Sequence, residues 1–154
     1  MSHSFTNIWI HAICGTKYRA PLITTDFEGR IQEHIKSELE KMECPVKIIN
    51  GIEDHVHALY KQNPKIAVVD VIKQIKGNTS NWVNAIDSYK LKFAWQVGYG
   101  AFSVSPSQVP IVEEYIRNQK EHHKKQNFKE EYESLLRMHG FDIKDIWDQP
   151  SPRL

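Results

Sequence analysis

The stretch Glu53-Asp54-His55-Val56-His57-Ala58-Leu59-Tyr60 decides how the rest of this 154-residue chain is interpreted. If it is a strand, His55 and His57 share one face, and the residues between them point to the other face. The two backbone positions then lie roughly 6.6–6.8 Å apart, so both rings can converge on one ion. Imidazole is the commonest metal-binding side chain. Two interpretations stay open: part of a metal site, or two half-buried histidines held by hydrogen bonds.

The composition is that of an ordinary globular protein, with 40% hydrophobic and 25% charged residues. The length predicts one domain with a real core. No run of 18 apolar residues occurs, so no membrane-spanning helix is expected. The N-terminus lacks a signal-peptide pattern, and Cys14 and Cys44 make no disulfide framework. We therefore predict a cytoplasmic protein with no membrane partner.

Charge is distributed unevenly along a chain whose formal net charge is only +1. Residues 61–92 carry six lysines and two aspartates, whereas residues 25–44 carry six acids and three bases. This polarity predicts one basic and one acidic face, with ordinary surface scatter as the alternative. The basic residues that we consider for phosphate contacts are Lys17, Arg19, Lys73, Lys76, Lys90 and Lys92.

Hydrophobic periodicity predicts four strands and four helices. A capping box that begins at Thr25 starts the first helix, and Pro45 ends it. Gly77 predicts a kink or a close backbone approach in the second helix. A phase break at residues 98–101 predicts a bulge in the last strand. Strands are expected at 5–14, 46–52, from 55 to the turn at 63–64, and at 93–105, and helices at 25–44, 68–86, 110–125 and 127–140.

The order βαββαβ is the ferredoxin-like arrangement. We therefore predict an α+β fold, ferredoxin-like or RRM-like, with a four-stranded antiparallel sheet and two appended C-terminal helices. In this topology the first and third strands are central, so the histidine strand is an inner one. Residues 1–141 are expected to form a single domain and residues 142–154 a weakly ordered tail.

The third predicted helix carries Tyr115 and Gln119 one turn apart, on the stripe that faces the protein. A buried glutamine needs hydrogen-bond partners, and coordination of a metal through its carbonyl oxygen is one way to satisfy it. The alternative is a core tyrosine beside a hydrogen-bonded glutamine.

His-Val-His on a sheet together with Tyr-x-x-x-Gln on a late helix resembles the single-tyrosine HUH transposases, which move insertion sequences as single-stranded DNA, and their REP-associated relatives. By this resemblance His55, His57 and Gln119 are expected to bind a metal, and Tyr115 to be the nucleophile. The resemblance covers nearly the whole chain and is carried by residues 16–19, 54–57, 76–80, 95–105, 115–119 and 122–140.

The resemblance implies a metal-dependent transposase that recognises hairpin ends and nicks and rejoins single-stranded DNA through a 5′-phosphotyrosine intermediate. The expected cofactor is a divalent ion, Mg²⁺ or Mn²⁺. The resemblance also implies a homodimer with active sites shared between chains, and the loop at residues 105–110 would let the tyrosine helix cross to a partner.

Two alternatives are a domesticated relative that binds hairpin DNA without cleaving it and an RRM-like nucleic-acid-binding module. Residues 98–102 are loosely similar to the RNA-binding strand of RRM domains, but Val97 stands where that pattern has a basic residue. Adjacent His122 and His123 point about 100° apart on a helix, which is poor geometry for a chelating pair. We interpret Asp54 as a turn residue and assign no role to His11.

Overall fold

The computed structural model describes residues 3–143, which form a four-stranded antiparallel sheet and five α-helices. The strand order is β2-β3-β1-β4, so the predicted α+β fold with central first and third strands is confirmed. The predicted tail lies outside the described residues apart from its first two positions, 142 and 143. The strands are β1 (Trp9–Gly15), β2 (Val46–Ile52), β3 (His55–Lys61) and β4 (Gly100–Val104), and the helices are α1 (Thr25–Lys41), α2 (Val68–Asn84), α3 (Val109–Arg117), α4 (Gln119–His122) and α5 (Phe128–Met138).

One face of the sheet packs against α1 and α2 and forms the main apolar core. Strand alternation turns every second residue of the two central strands toward these helices. Burying each large apolar side chain there stabilises the fold by about 1.5–3 kcal/mol. The sheet residues of this core are Ile10, Ala12, Cys14, Val56, Ala58 and Tyr60.

The opposite face carries the histidines and is covered by α3 and α5. Leu59 packs with Val109 and Ile116, while Ile13 packs in a second cluster with Phe128 and other residues of α5. The antiparallel register pairs Ile13 with His57 and Gly15 with His55. The helices after β4 therefore lie directly over the His-Val-His stretch.

The last strand is shorter than predicted, because its ladder with β1 is interrupted between Trp95 and Gly100. The pairing resumes beyond this gap, where Thr16 bridges Trp95, the N–H of Lys17 donates to the carbonyl of Ala94, and the N–H of Gln96 donates to that of Gly15. The irregular stretch overlaps the phase break predicted at residues 98–101. Asn84 bonds both the N–H and the carbonyl of Phe93, and the Lys76 ammonium donates to the carbonyls of Gln96 and Gly98. Gly98 adopts φ +88°, a left-handed conformation that suits glycine. Only Gly100–Val104 remain as β4.

Three helix details also differ from the sequence prediction. The N-cap of α1 is Thr24 and makes no side-chain bond, so the capping box predicted at Thr25 is wrong. Gly77 neither kinks α2 nor meets a close neighbour, since nothing lies within 4 Å of a built Cβ. The third predicted helix breaks at Asn118 into α3 and α4. The capping box at Asn127, by contrast, is present in full.

The break after α3 has a partner on the sheet. The Asn50 amide of β2 donates to the carbonyls of Ile116 and Arg117, at 3.0 and 3.1 Å. These carbonyls belong to the last turn of α3, where no intrahelical donor is available. Asn50 therefore fixes the end of the helix that carries Tyr115.

Within residues 3–143, no helix combines the length and the apolar character needed to cross a bilayer.

Candidate functional site

His55 and His57 lie fully buried on the inner strand β3, with their ring centroids 5.0 Å apart. The Nδ1 of His55 lies 2.8 Å from Oδ1 of Asp54, so Asp54 is a hydrogen-bond partner as well as a turn residue. The Nδ1 of His57 lies 2.8 Å from Nε2 of His11, the partner that sequence reasoning missed. A hydrogen bond at Nδ1 therefore fixes the ring of each strand histidine, and the Nε2 atoms point to the other side, away from Asp54 and His11.

Glu131 of α5 lies against both of these Nε2 atoms. Its Oε1 is 3.2 Å from Nε2 of His55 and 3.1 Å from Nε2 of His57, and the residue is only 1% exposed. Sequence reasoning missed this carboxylate. The available signal was its position, since it falls three residues after Phe128 and four before Leu135, inside the apolar stripe of α5.

Tyr115 and Gln119 contact the same carboxylate from the third side. The Tyr115 hydroxyl donates a hydrogen bond to Oε2 of Glu131, and the Gln119 amide nitrogen donates to that oxygen at 2.8 Å. The Gln119 Oε1 lies 3.0 Å from Nε2 of His55. The structure thus brings together the four residues predicted for the metal and the nucleophile, although their chemical roles remain predictions.

His123 also reaches this cluster, whereas its neighbour His122 does not. Its Nε2 lies 3.0 Å from Oε1 of Glu131 and 3.1 Å from Oε1 of Gln119. The spacing of four residues from Gln119 puts both side chains on one side of the helical turn, a signal available in the sequence. His122 instead stacks on the ring of Tyr115, with centroids 4.7 Å apart.

The electrostatics of the cluster depend on Glu131. Burial alone would raise the pKa of this carboxyl, but hydrogen bonds from His123, His55 and His57 hold it far below its usual range. Burial opposes the charged form of His55, yet contacts with Asp54 and Glu131 raise its pKa to about 9. Burial lowers the pKa of His57 to about 4. Burial, and then the charge of Glu131, raise the pKa of Tyr115, so its hydroxyl is protonated in this arrangement.

The donor set fits a divalent cation. The ligand atoms of His55, His57 and Glu131 all lie within 4.8 Å of one another. Because the Asp54 carboxylate can only accept, the Nδ1–H of His55 donates a hydrogen bond to it, and the Nε2 of His55 faces two oxygens. Without an ion, only a second proton makes that contact favourable, which agrees with the raised pKa of His55. A carboxylate that orients a metal-binding histidine in this way is a recurrent feature of metal sites.

The predicted phosphate-contacting residues fall into two groups. Lys17 and Arg19 follow the end of β1, beside the pairing of Gly15 with His55. The other four lysines belong to α2 and the loop after it, on the core side of the sheet. The Lys76 ammonium already donates to two carbonyls, at 2.7 and 2.8 Å. The structure therefore does not gather the six side chains into one patch beside the histidines.

Comparisons with known proteins agree on one family and one fold. The sequence model of the family described as "Transposase IS200 like" matches residues 4–119. The crystal structure of a candidate transposase from Deinococcus radiodurans R1 has a TM-score of 0.59 at 18% identity, covering 77% of this chain and 95% of that one. A REP-associated tyrosine transposase bound to a REP hairpin has a TM-score of 0.58 at 15% identity, covering 80% and 74%. At these identities the likeness concerns the fold alone. No curated protein matches the chain.

Proposed function

This chain belongs to the IS200-like transposase family, and on that premise we propose that it nicks and rejoins single-stranded DNA in a metal-dependent reaction. One observation carries the proposal: the Tyr115 hydroxyl and the histidine pair His55 and His57 meet on a single buried carboxylate, Glu131. A nucleophile candidate and a metal-site candidate thus share one oriented group.

Tyr115 is the proposed nucleophile. Its hydroxyl oxygen attacks the phosphorus, the bond from phosphorus to the 3′ oxygen breaks, and the phenol proton ends on that 3′ oxygen. The DNA strand then stays attached to Tyr115 through its 5′ phosphate. Because one phosphodiester replaces another, the 3′-OH can reverse the step without ATP. A divalent ion bound by His55, His57 and Glu131, with the Oε1 of the predicted ligand Gln119 beside them, would polarise the scissile phosphate.

The arrangement described is a resting state of this chemistry. The Glu131 charge lies beside the Tyr115 hydroxyl and, together with burial, keeps its pKa high. A divalent ion bound to Glu131 would offset the charge of this carboxylate and so remove one of the effects that raise the pKa of Tyr115. Through Glu131, occupancy of the metal site would therefore affect how easily Tyr115 loses its proton.

Single-stranded hairpin DNA is the proposed substrate, in line with the hairpin bound by the REP-associated transposase of the same fold. A cleft of about 180 Å³ lies beside the site, and its lining includes Phe128, whose ring stacks 4.1 Å from that of His55. Tyr99 and Tyr132 also line it, and aromatic rings of this kind stack unpaired bases. Lys17 and Arg19 are the nearest predicted phosphate contacts along β1.

The homodimer with shared sites stays a prediction. In the single chain, Tyr115 lies over its own β3, and only four residues separate β4 from α3. Exchange of α3 and α5 between two chains would recreate the same contacts across a dimer. To decide, the variant lacking both strand histidines is mixed with Tyr115→Phe, unfolded briefly and refolded. Activity returns if the sites are shared between chains and stays absent if each chain holds its own site.

The proposed function is tested with single-stranded DNA taken from either side of the gene, where an element's own transposase has imperfect palindromes. Wild type should form a covalent protein–DNA band on a denaturing gel in the presence of a divalent ion. Tyr115→Phe should bind the hairpin without forming the band, and Tyr99→Phe is the matched control that keeps it. A band from Tyr115→Phe would assign the nucleophile to another tyrosine, and Tyr99 and Tyr132 are then the candidates.

The RRM-like alternative requires an open sheet face, but α3 and α5 cover this one, leaving His11 and Phe102 only 4% and 5% exposed. A domesticated hairpin-binding protein would give binding without nicking in the same assay. A cytoplasmic location stays a prediction, supported by two free buried cysteines, Cys14 and Cys44.

A further inference from the structure

Three imidazoles, rather than two, face one oxygen of the candidate metal site. The Oε1 of Glu131 lies 3.2 Å from Nε2 of His55, 3.1 Å from that of His57 and 3.0 Å from that of His123. The side chain of His123 is 4% exposed, so this contact is enclosed. His123 also lies against His55, with ring centroids 4.7 Å apart.

The Nε2 of His123 points at the same two oxygens as the Nε2 of His55. Both nitrogens lie 3.0–3.2 Å from Oε1 of Glu131 and from Oε1 of Gln119. The orientation of these oxygens is fixed, because the Gln119 amide nitrogen donates to the other oxygen of Glu131. Within residues 3–143, Nδ1 of His123 has no hydrogen-bond partner. All the polar contacts of this side chain are therefore directed into the candidate metal site.

We propose that His123, which contacts Glu131 beside the mutually close group of His55, His57 and Glu131, joins that group as a further metal ligand, and that a site with three imidazoles selects a first-row transition ion over Mg²⁺. Imidazole nitrogens suit ions such as Co²⁺ and Zn²⁺, whereas Mg²⁺ prefers a shell of oxygens and keeps several waters. This ligand set deepens the proposed function, on which its role in DNA cleavage rests. The ion preference itself is a property of binding and is measured without DNA.

A competing role for His123 is purely structural. It would donate its Nε2 proton to Glu131 and Gln119 and hold them in place without touching an ion. Both roles predict weaker binding when His123 is removed, so affinity alone does not separate them. The visible absorption of bound Co²⁺ does, because the number and kind of its ligands set the band positions and intensities.

The experiment uses the full chain, stripped with EDTA and transferred to metal-free buffer. Calorimetry measures the affinity for Mg²⁺, Mn²⁺, Co²⁺ and Zn²⁺ separately, and visible spectra follow the Co²⁺ titration. The variants are His123→Ala, the size-preserving His123→Gln, the matched neighbour His122→Ala, and the double variant His55→Ala with His57→Ala. Circular dichroism confirms that each variant is folded.

Wild type should bind Co²⁺ and Zn²⁺ more tightly than Mg²⁺. Both His123 variants should lose about tenfold or more in Co²⁺ affinity and shift the visible bands, while His122→Ala matches wild type. Equal affinity for Mg²⁺ and Co²⁺, or a wild-type spectrum in the His123 variants, overturns the inference. In that case the proposed function still stands if the double histidine variant has lost the ion. If wild type binds no ion, or the double variant binds normally, the metal dependence of the proposed function falls as well.

Discussion

Adding one methyl group at Gly15 should disturb the docking of α5. Gly15 lies opposite His55 in the sheet, and a Cβ built there meets Cε2 of Phe128 at 2.7 Å and Cζ at 3.3 Å. Phe128 cannot turn aside easily, because it is 2% exposed and stacks on His55. Overpacking of this kind costs about 1–3 kcal/mol. Gly15→Ala should therefore lower the free energy of unfolding by that amount, which is about 2–4 °C in Tm for each kcal/mol.

The matched control is Gly77→Ala in α2, where a built Cβ has nothing within 4 Å. Alanine favours a helix interior over glycine by about 1 kcal/mol, so this change should stabilise the chain. Urea unfolding of both variants measures whether the free energy of unfolding falls for Gly15→Ala and rises for Gly77→Ala. Calorimetry with Co²⁺ reports whether α5 still holds Glu131 at the metal site. A Gly15→Ala variant as stable as wild type, with unchanged metal affinity, would refute the packing of Phe128 against β1 described above.

Three further predictions test other parts of the molecule. Asp54→Ala should weaken metal affinity about 10–100-fold by calorimetry, because the carboxylate that orients His55 is lost; an unchanged affinity contradicts that role. Neutralising Lys17 or Arg19 should reduce the salt dependence of single-stranded DNA binding by about 0.7 in slope for each phosphate contact, and an unchanged slope shows that they are idle. The hydrogen bond from the Asn78 amide is the main effect that lowers the pKa of Glu38. At a pH above the ordinary carboxyl pKa this hydrogen bond therefore stabilises the fold. The stabilisation is lost as the pH falls through the lowered pKa of Glu38. Asn78→Ala should thus lower the free energy of unfolding by about 1 kcal/mol at pH 7, and by progressively less as the pH falls below the ordinary carboxyl pKa, as measured by urea unfolding. A loss that does not depend on pH would exclude this linkage.

The order of elements and the faces of the strands were predictable because both follow from local periodicity. The period of two on β3 separates His55 and His57 from the core residues, and the stripe on α3 turns Tyr115 inward. These patterns depend on neighbours a few residues away. The fold and the placement of these side chains could therefore be derived without coordinates.

The rest of the site depends on docking between distant parts of the chain. Glu131 reaches His57 across 74 positions, and no local pattern states which carboxylate a strand histidine will meet. The interruption of β4 also involves a contact from outside the strand, because the Lys76 ammonium of α2 donates to the carbonyls of Gln96 and Gly98 beside the irregular stretch. Both contacts join side chains to groups far away in sequence, beyond the reach of periodicity.

One face of the sheet holds the main apolar core and the other holds the candidate site, so a mutation can affect the chemistry without affecting that core. Substitutions of Tyr115, His55 or His57 leave the apolar packing against α1 and α2 untouched. Under the proposed function, a mobile element that loses its chemistry through Tyr115→Phe, which removes only a hydroxyl, would still encode a folded protein. If it binds DNA ends as proposed, this inactive protein would compete with active transposases for the same ends and inhibit transposition of related elements. Selection could then preserve the fold for repression long after mobility has gone.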